Sequence, residues 1–264
     1  GSDKRQKEAI VKARKLFSSA AYVERDELTR EIAQKYLLVI ALGGDGHFEY
    51  VSQFIDRRYV LGINSDYRKS EGALTTNSAS DLENIFDRLL RDDFSIEPWT
   101  RIKVVIDGKE FAEQAICEIM ISERDRYDMS RHILKHKGIS EEQKCSGILI
   151  STGAGSTGWV KSESHYLPWE TFPRTNREAR FAVTAPYNGR ILKDYKLLMG
   201  SIKEGEELEV VSLSDNDACV RIGAKRVPIR EGARIKVSLG SPLNVVRFED
   251  AKVLKPSQVG EKHG

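Results

Sequence analysis

The chain has 264 residues, with 42 lysines and arginines against 40 aspartates and glutamates, a net charge of +2 and 3 cysteines. This length allows a full hydrophobic core, in one large domain or two smaller ones. The balanced charge argues against nucleic-acid and membrane partners. The odd cysteine count argues against a disulfide framework and favours a reducing compartment, the cytoplasm.

The N-terminal residues 3–34 are charged and helix-like, with residues 9–11 as the one strand candidate. Gly1 and Ser2 are typical of the remnant of an expression tag. The sequence therefore leaves open a targeting peptide before residue 1, and the mitochondrial matrix is the alternative location. No apolar run reaches the roughly 20 residues that a membrane helix needs.

Residues 36–100 alternate between apolar strand patterns and helical patterns. Strands are predicted at 36–42 and 60–64, and helices at 47–55 and 80–91. In the last helix, apolar residues recur at helical spacing behind serine caps. This alternation predicts a parallel sheet, with a ligand site at the carboxyl ends of its strands.

From residue 102 onward the pattern is strand-like, with glycine and charged turns between short apolar runs. The predicted strands are 102–106, 113–122, 147–151, 180–185, 207–213, 218–222, 234–239 and 243–248. We therefore expect an α/β domain over residues 1–100, a β-rich domain over residues 101–250 and a C-terminal tail over residues 251–264.

The first predicted strand runs directly into Gly-Gly-Asp-Gly at residues 43–46. Because glycine tolerates positive φ and has no Cβ, the amides of Gly43, Gly44 and Gly46 are candidates for cradling phosphate. A carboxylate at Asp45 would repel nearby phosphates unless a cation bridges them or the carboxylate acts on a substrate hydroxyl. Both possibilities predict phosphoryl transfer. A carboxylate in such a loop is electrostatically strained, so we expect Asp45→Asn to hold or raise stability. An ordinary tight turn is the alternative.

A second strand runs into Thr-Gly-Ala-Gly-Ser-Thr-Gly-Trp at residues 152–159. Such a loop offers many hydrogen-bond donors with little bulk, which suits the phosphates, ribose and base of a nucleotide. A flexible linker is the alternative, but a linker would not follow an apolar strand directly. Arg68, in the segment after the first loop, is a further candidate phosphate ligand.

Four ordered blocks of residues together resemble the NAD kinase family. They are Gly-Gly-Asp-Gly, Gly-Ile-Asn-Ser-Asp with Ser-Glu-Gly-Ala-Leu, Ala-Ile-Cys-Glu at 115–118, and Lys-Cys-Ser-Gly with the Gly-rich loop at 144–159. Their form looks most like the branch typified by the animal mitochondrial NAD kinase. The resemblance implies a two-domain fold, an α/β N-terminal domain with a parallel sheet and a β-rich NAD-binding domain, with the active site in the crevice between them.

The resemblance also implies an activity and a set of site residues. The implied reaction transfers a phosphoryl group from ATP or polyphosphate, with Mg²⁺, to the adenosine-ribose 2′-hydroxyl of NAD, and Asp45 is the implied base. The implied substrate-binding residues are Asn64, Glu118, Thr157, Gly158, Trp159 and Ser162. No metal ligands are assigned.

The implied partners are NAD and a nucleoside triphosphate, and apolar strands that need covering favour a homodimer or higher homo-oligomer. Two residues depart from the family pattern. His47 stands where the family commonly has Thr, and we expect its side chain to point to solvent rather than to pair with Asp45 or phosphate. Cys117 replaces the usual Asn and is interpreted as a small core residue.

Two other classes of protein stay open. Lipid kinases of the diacylglycerol and sphingosine type resemble the chain at Gly-Gly-Asp-Gly but lack a counterpart of the second loop. A non-catalytic nucleotide-binding protein on the same scaffold is the other class. The basic stretch at 124–137 is interpreted as a solvated loop or helix face, in which His132 and His136 have the spacing of metal ligands on a helix without a further ligand.

Overall fold

The structure is a computed structural model of the chain. It describes residues 2–66, 68, 70–125, 127–163 and 169–248. The predicted tail at residues 251–264 lies outside these described residues. No helix in the described part of the chain is long and apolar enough to cross a membrane.

Helices are few over the described ranges, and most of them are short. The α-helices there are α1 (Ser2–Leu16), α2 (Arg30–Gln34), α3 (Asp45–Ser52), α4 (Leu82–Leu90) and α5 (Trp159–Glu163).

Strands make up most of the regular structure. In the described part they are β1 (Leu38–Leu42), β2 (Tyr59–Asn64), β3 (Asn77–Ser78), β4 (Ser95–Trp99), β5 (Ile102–Ile106), β6 (Lys109–Glu110), β7 (Glu118–Glu123), β8 (Ser130–His136), β9 (Ile139–Cys145), β10 (Gly147–Thr152), β11 (Glu178–Thr184), β12 (Met199–Lys203), β13 (Leu208–Ser212), β14 (Ala218–Ile222), β15 (Lys225–Pro228), β16 (Arg234–Leu239) and β17 (Leu243–Arg247).

The first sheet is mostly parallel and carries the N-terminal helices. Its strand order is β1-β2-β17-β4, with β3 paired to the end of β2. β1, β17 and β3 each run parallel to β2, and β4 runs antiparallel to β17. Because Leu42 is paired with Ile63, the carboxyl ends of β1 and β2 meet at one edge. Their following loops therefore lie side by side.

The remaining strands form two antiparallel sheets that pack face to face. One has the order β12-β11-β10-β7-β14-β15 and the other β6-β5-β16-β13-β8-β9. Their inner faces share one core, to which Ile119 and Ile148 belong from one sheet and Val104 and Val210 from the other, all at most 1% exposed. The structure thus has the expected α/β part with a parallel sheet and a β-rich antiparallel part.

The chain crosses back to the first sheet at its C-terminal end. β17 pairs with both β2 and β4, although residues 243–247 fall inside the predicted second domain. A short apolar run predicts a strand but carries no information on which sheet it joins. The division at residue 100 stays a prediction.

Three local expectations were wrong. Residues 9–11 lie within α1, and residues 113–117 precede β7 rather than belonging to it. His132 and His136 are buried on β8, a strand, and not on a helix or in a loop. Residues four apart on a strand are separated by about 13 Å, so the two imidazoles do not have the geometry of a helical metal pair.

Candidate active site

The Gly-Gly-Asp-Gly turn links β1 to α3 and is tied to the end of β2. The Gly43 N–H donates to the Ile63 carbonyl at 2.9 Å, and the Gly43 carbonyl accepts from the Ser65 N–H at 3.3 Å. A Cβ at Gly43 would lie 2.8 Å from the side chain of His47. Glycine is therefore needed here for space.

The glycines do not use the left-handed backbone that the sequence suggested. Gly44 has φ −91° as the residue before α3, and neither Gly43 nor Gly46 has a positive φ. Among the described residues, the amides of Gly44 and Gly46 have no hydrogen-bond acceptor. These two amides and the positive end of the α3 dipole make this turn able to receive an anion.

Asp45, the first residue of α3, is bound by the loop at residues 73–75. Its Oδ2 accepts from the Ala73 N–H at 2.8 Å. Its Oδ1 accepts from the N–H groups of Leu74 and Thr75, both at 2.9 Å, and from the Thr75 hydroxyl at 2.8 Å. The carboxylate thus accepts four hydrogen bonds, three at Oδ1 and one at Oδ2, and anchors a loop some thirty residues away in sequence.

Asn64, at the end of β2, supports the next loop with both ends of its amide. Its Oδ1 accepts from the Asp66 N–H at 2.9 Å, and its Nδ2 donates to the Ser70 carbonyl at 3.3 Å. The Ser70 hydroxyl in turn accepts from the Asp45 N–H at 3.4 Å. Arg68, the predicted phosphate ligand, is an exposed residue of this same loop.

The second Gly-rich loop packs on the residues that precede β7. The Thr152 N–H donates to the Cys117 carbonyl at 2.9 Å, and the Thr152 hydroxyl accepts from the N–H groups of Ala154 and Gly155 at 3.1 and 3.3 Å. A Cβ at Gly155 would lie 2.5 Å from the Cys117 carbonyl oxygen. Ala154 also belongs to the apolar cluster that contains Phe48 of α3. The two loops therefore meet across residues 116–118.

The predicted residues that follow this loop lie further out. Thr157, Gly158 and Ser162 are exposed, and Trp159 donates from Nε1 to Glu163 Oε1 at 3.1 Å. Within the described ranges, no hydrogen bond joins this segment to the Gly-Gly-Asp-Gly turn. Their assignment to NAD binding stays a prediction.

Two glutamates, one on α3 and one on β7, interact electrostatically at this site. Glu49 follows Asp45 by one helical turn, and Glu118 begins β7. Burial, and then the charge of Glu49, raise the pKa of Glu118 to about 7, while Arg221 opposes the shift. Burial likewise raises the pKa of Glu49. Glu49 was not predicted from the sequence. It could have been, because residues four apart on a helix share a face and Glu49 is four residues after Asp45.

Cys117 and His47 lie close in sequence to these two glutamates: Cys117 precedes Glu118, and His47 is two residues before Glu49. Burial, then Glu49, Glu118 and Asp45, raise the pKa of the Cys117 thiol well above its ordinary value, so it stays a neutral thiol. His47 is half-buried against Gly43, and burial followed by the charge of Arg25 lowers its pKa. The expectation that His47 points to solvent was wrong.

Sequence reasoning also missed Arg174. This half-buried arginine lies 4.6 Å over the ring of Trp99 and donates from Nη2 to the carbonyl oxygen of Ala73. It comes from an irregular stretch between α5 and β11, where no periodic pattern or motif marks it. The site thus has a cation next to the loop that holds Asp45.

The chain is similar to known proteins over most of its length, although no family model matches it. It is 26% identical to a probable NADH kinase from Oryza sativa, over 84% of this chain and 73% of that protein. It is 27% identical to an NAD kinase from Corynebacterium glutamicum, over 81% of this chain and 72% of that protein.

A solved structure is similar in fold. The chain matches an NAD kinase from Archaeoglobus fulgidus, determined in complex with ATP, with a TM-score of 0.71 and 18% identity. The match covers 92% of this chain and 90% of that one. The likeness extends over both the α/β and the β-rich parts.

Proposed function

The chain belongs to the NAD kinase family, and we propose that it transfers the γ-phosphoryl group of ATP to the adenosine-ribose 2′-hydroxyl of NAD, forming NADP. A hydroxyl is a weak nucleophile near neutral pH, so the reaction needs a group that accepts its proton. It also needs donors that hold the negatively charged phosphates. The residues around α3 can supply both.

The observation that carries the proposal is the position of Asp45. Its carboxylate begins α3, one residue from each of the Gly44 and Gly46 amides that have no acceptor among the described residues. A phosphate on these amides would lie beside a carboxyl side chain, which has the oxygens to take up a proton. This arrangement supports Asp45 as base and the glycines as phosphate ligands.

The four hydrogen bonds to Asp45 set a condition on this role. Three come from backbone N–H groups and one from the Thr75 hydroxyl. Three of the four bonds are to Oδ1, so Oδ2 has only one and keeps a free lone pair. We propose that Oδ2 takes up the proton of the ribose hydroxyl.

Mg²⁺ is proposed to enter with the phosphoryl donor. No group of three or more His, Cys, Asp or Glu side chains in the described part of the chain could hold a metal ion. Both oxygens of Asp45 already accept hydrogen bonds. The described residues therefore do not fit a dedicated metal cage, and the ion would be bound chiefly by the donor phosphates, as Mg²⁺ commonly is.

Glu118, Asn64 and the segment from Thr157 to Ser162 are proposed to bind NAD. Glu118 lies next to the Cys117 carbonyl that receives the Gly-rich loop, which supports a place for it beside a bound nucleotide. Thr157 and Ser162 are exposed, and the Thr157 hydroxyl, which donates to the Ala154 carbonyl at 3.5 Å, keeps its acceptor lone pairs for a ligand. Arg68 is proposed as a further phosphate ligand.

A homodimer and a cytoplasmic location, or a mitochondrial one if a targeting peptide precedes residue 1, complete the proposal. Cys117, Cys145 and Cys219 are free thiols, which suits a reducing compartment. Light scattering at micromolar concentration tests the assembly, and a monomer would contradict it.

A coupled assay for NADP formation tests the function. The protein is incubated with NAD and Mg²⁺, and with ATP or polyphosphate as donor. We expect NADP with at least one donor. Phosphorylation of lipid vesicles without NADP formation would instead indicate a lipid kinase, and calorimetric binding of NAD without turnover would indicate a non-catalytic binding protein. Either result would overturn the proposal.

A further inference from the structure

Arg174 is held in a fixed orientation by its surroundings. Its guanidinium lies 4.6 Å over the ring of Trp99, a residue that is fully buried and donates from Nε1 to Glu97 at 2.8 Å. Its backbone carbonyl accepts from the Thr100 N–H at 3.0 Å. A planar guanidinium on an aromatic face loses little further freedom when it binds a ligand.

The guanidinium is connected to Asp45 through a single residue. Arg174 Nη2 donates to the carbonyl oxygen of Ala73, while the N–H of Ala73 donates to Asp45 Oδ2 at 2.8 Å. Within the described ranges, Arg174 Nε and Nη1 have no hydrogen-bond acceptor. Several N–H donors of the guanidinium therefore remain available beside the proposed base.

The local charge around Arg174 is not balanced by a bound carboxylate. Among the described residues no carboxylate forms an ion pair with it, and Glu97 lies 3.6 Å from a second arginine, Arg247. Arg247 also donates to the Thr76 hydroxyl, so the two arginines contact the two ends of the segment 73–76. Burial, and then the charge of Arg247, lower the pKa of Arg174, whereas Glu97 and Asp45 raise it. A half-buried cation without a paired anion is costly, and a bound anion would relieve it.

We propose that Arg174 binds a phosphate group of the nucleotide at this site, through the guanidinium N–H groups that are not bonded to Ala73. Arginine forms paired, charge-assisted hydrogen bonds to phosphate. The phosphate belongs either to the donor triphosphate or to the pyrophosphate of NAD, and the shared chemistry is a nucleotide phosphate. This role for Arg174 rests on the proposed function and deepens it. None of the sequence motifs assigns a role to Arg174.

Isothermal titration calorimetry on the full chain tests the proposal. Binding of ATP with Mg²⁺, NAD and adenosine is measured for the wild type, Arg174→Gln and Arg174→Lys. For Arg174→Gln we expect affinity for ATP, NAD or both to fall roughly 10- to 100-fold, and affinity for adenosine to change by less than about 2-fold. Arg174→Lys should recover part of the loss, because it keeps the charge but not the fork.

Arg180→Gln is the matched control. Arg180 also lies over an aromatic ring, at 4.2 Å from the centroid of Phe172, but it is paired with Glu178 at 2.5 Å. This variant should bind all three ligands as the wild type does. Thermal melting of each variant checks that the fold is retained.

The outcomes separate the alternatives. Loss confined to ATP identifies a donor phosphate, and loss confined to NAD identifies its pyrophosphate. An equal loss for adenosine, or no loss for either phosphorylated ligand, overturns the proposal, because the first shows that Arg174 only supports Ala73. A wild type that binds ATP but forms no NADP overturns the proposed function and leaves this inference standing on the binding data.

Discussion

Replacing Asp45 with asparagine is expected to lower both the rate of phosphoryl transfer and the stability of the protein. An asparagine amide keeps one oxygen and turns the other into an NH₂ group, which only donates. If the oxygen remains at the Oδ1 position, where Leu74 and Thr75 donate, the NH₂ group faces the Ala73 N–H. Two donors then oppose each other, and the loop at residues 73–75 loses one of its anchors.

The size of the stability effect follows from these bonds. One backbone N–H left without an acceptor costs about 1–3 kcal/mol, and the remaining bonds lose the extra strength that a charged acceptor gives. The total is on the order of 2–5 kcal/mol, or a melting temperature lower by roughly 5–15 °C for a chain of this size. This reverses the sequence-based expectation that stability would hold or rise.

The rate should fall by about 10²- to 10⁴-fold, because an amide does not take up the proton of the ribose hydroxyl. NADP formation is measured well below the melting temperature, together with melting by circular dichroism. Thr75→Val is the control, since it removes only the hydroxyl bond at 2.8 Å and no proton acceptor. This variant should lose about 1 kcal/mol of stability. Its loss of activity should be much smaller than that of Asp45→Asn. Near-wild-type turnover of Asp45→Asn would refute the role as base, and an unchanged melting temperature would refute the role as anchor.

Three further outcomes are expected. Gly155→Ala should lower the stability by about 1–3 kcal/mol, because the new Cβ would lie 2.5 Å from the Cys117 carbonyl oxygen. A Cβ at Gly46 would meet nothing within 4 Å, so Gly46→Ala should leave the stability unchanged or raise it slightly. Thermal melting of the two variants checks this difference. Burial raises the pKa of Glu118 from 4.5 to about 7, so the folded protein holds this proton more tightly than the unfolded chain does. The resulting contribution to stability is complete below pH 4.5 and is lost, by at most about 3 kcal/mol, as the pH rises to 7. Stability of Glu118→Gln relative to the wild type should therefore rise between pH 5 and 7.5 in urea titrations, and a flat difference would contradict this. Arg101→Met should lose about 2 kcal/mol or more in the same titrations, since a buried guanidinium that donates to three backbone carbonyls is removed.

The sequence predicted best those strands whose apolar runs are short and end at clear turns. β5, β14 and β16 have the predicted bounds, because glycine or charged residues flank each of them. Local pattern was sufficient there since burial on one or both faces decides strand formation.

β8 and β9 were missed for a physical reason. The inward-facing positions of β8 are occupied partly by His132 and His136, which are buried, while Arg131 is exposed. Their imidazoles use polar partners, such as Gln143 at 3.3 Å and the Ser201 carbonyl at 2.9 Å. A strand whose buried face is polar has no hydrophobic alternation, so the segment was taken for a solvated one.

For the candidate site, sequence motifs identified the two Gly-rich loops and Asp45 but not what holds them. The anchor of Asp45 is a set of backbone N–H groups, and a backbone donor has no residue identity that a sequence could reveal. Arg174 could not be predicted from the sequence either, because its link to Asp45 through Ala73 is formed only in the folded chain. The roles of these residues in catalysis stay predictions.

α3 shows why the site depends on tertiary contacts. A helix of eight residues is not stable by itself in water, so the position of Asp45 at its start has to be fixed from outside the helix. The loop at 73–75 holds its first residue, and at the other end Arg101 donates to the carbonyls of Ser52 and Ile55 and to Ser241, which precedes β17. Both ends of α3 are thereby tied to segments distant in sequence, and its apolar face packs in the cluster that includes Ala154 of the second Gly-rich loop. The two loops keep their relative position because they share this helix, so the proposed phosphate and nucleotide sites would be held in a fixed arrangement by a short element.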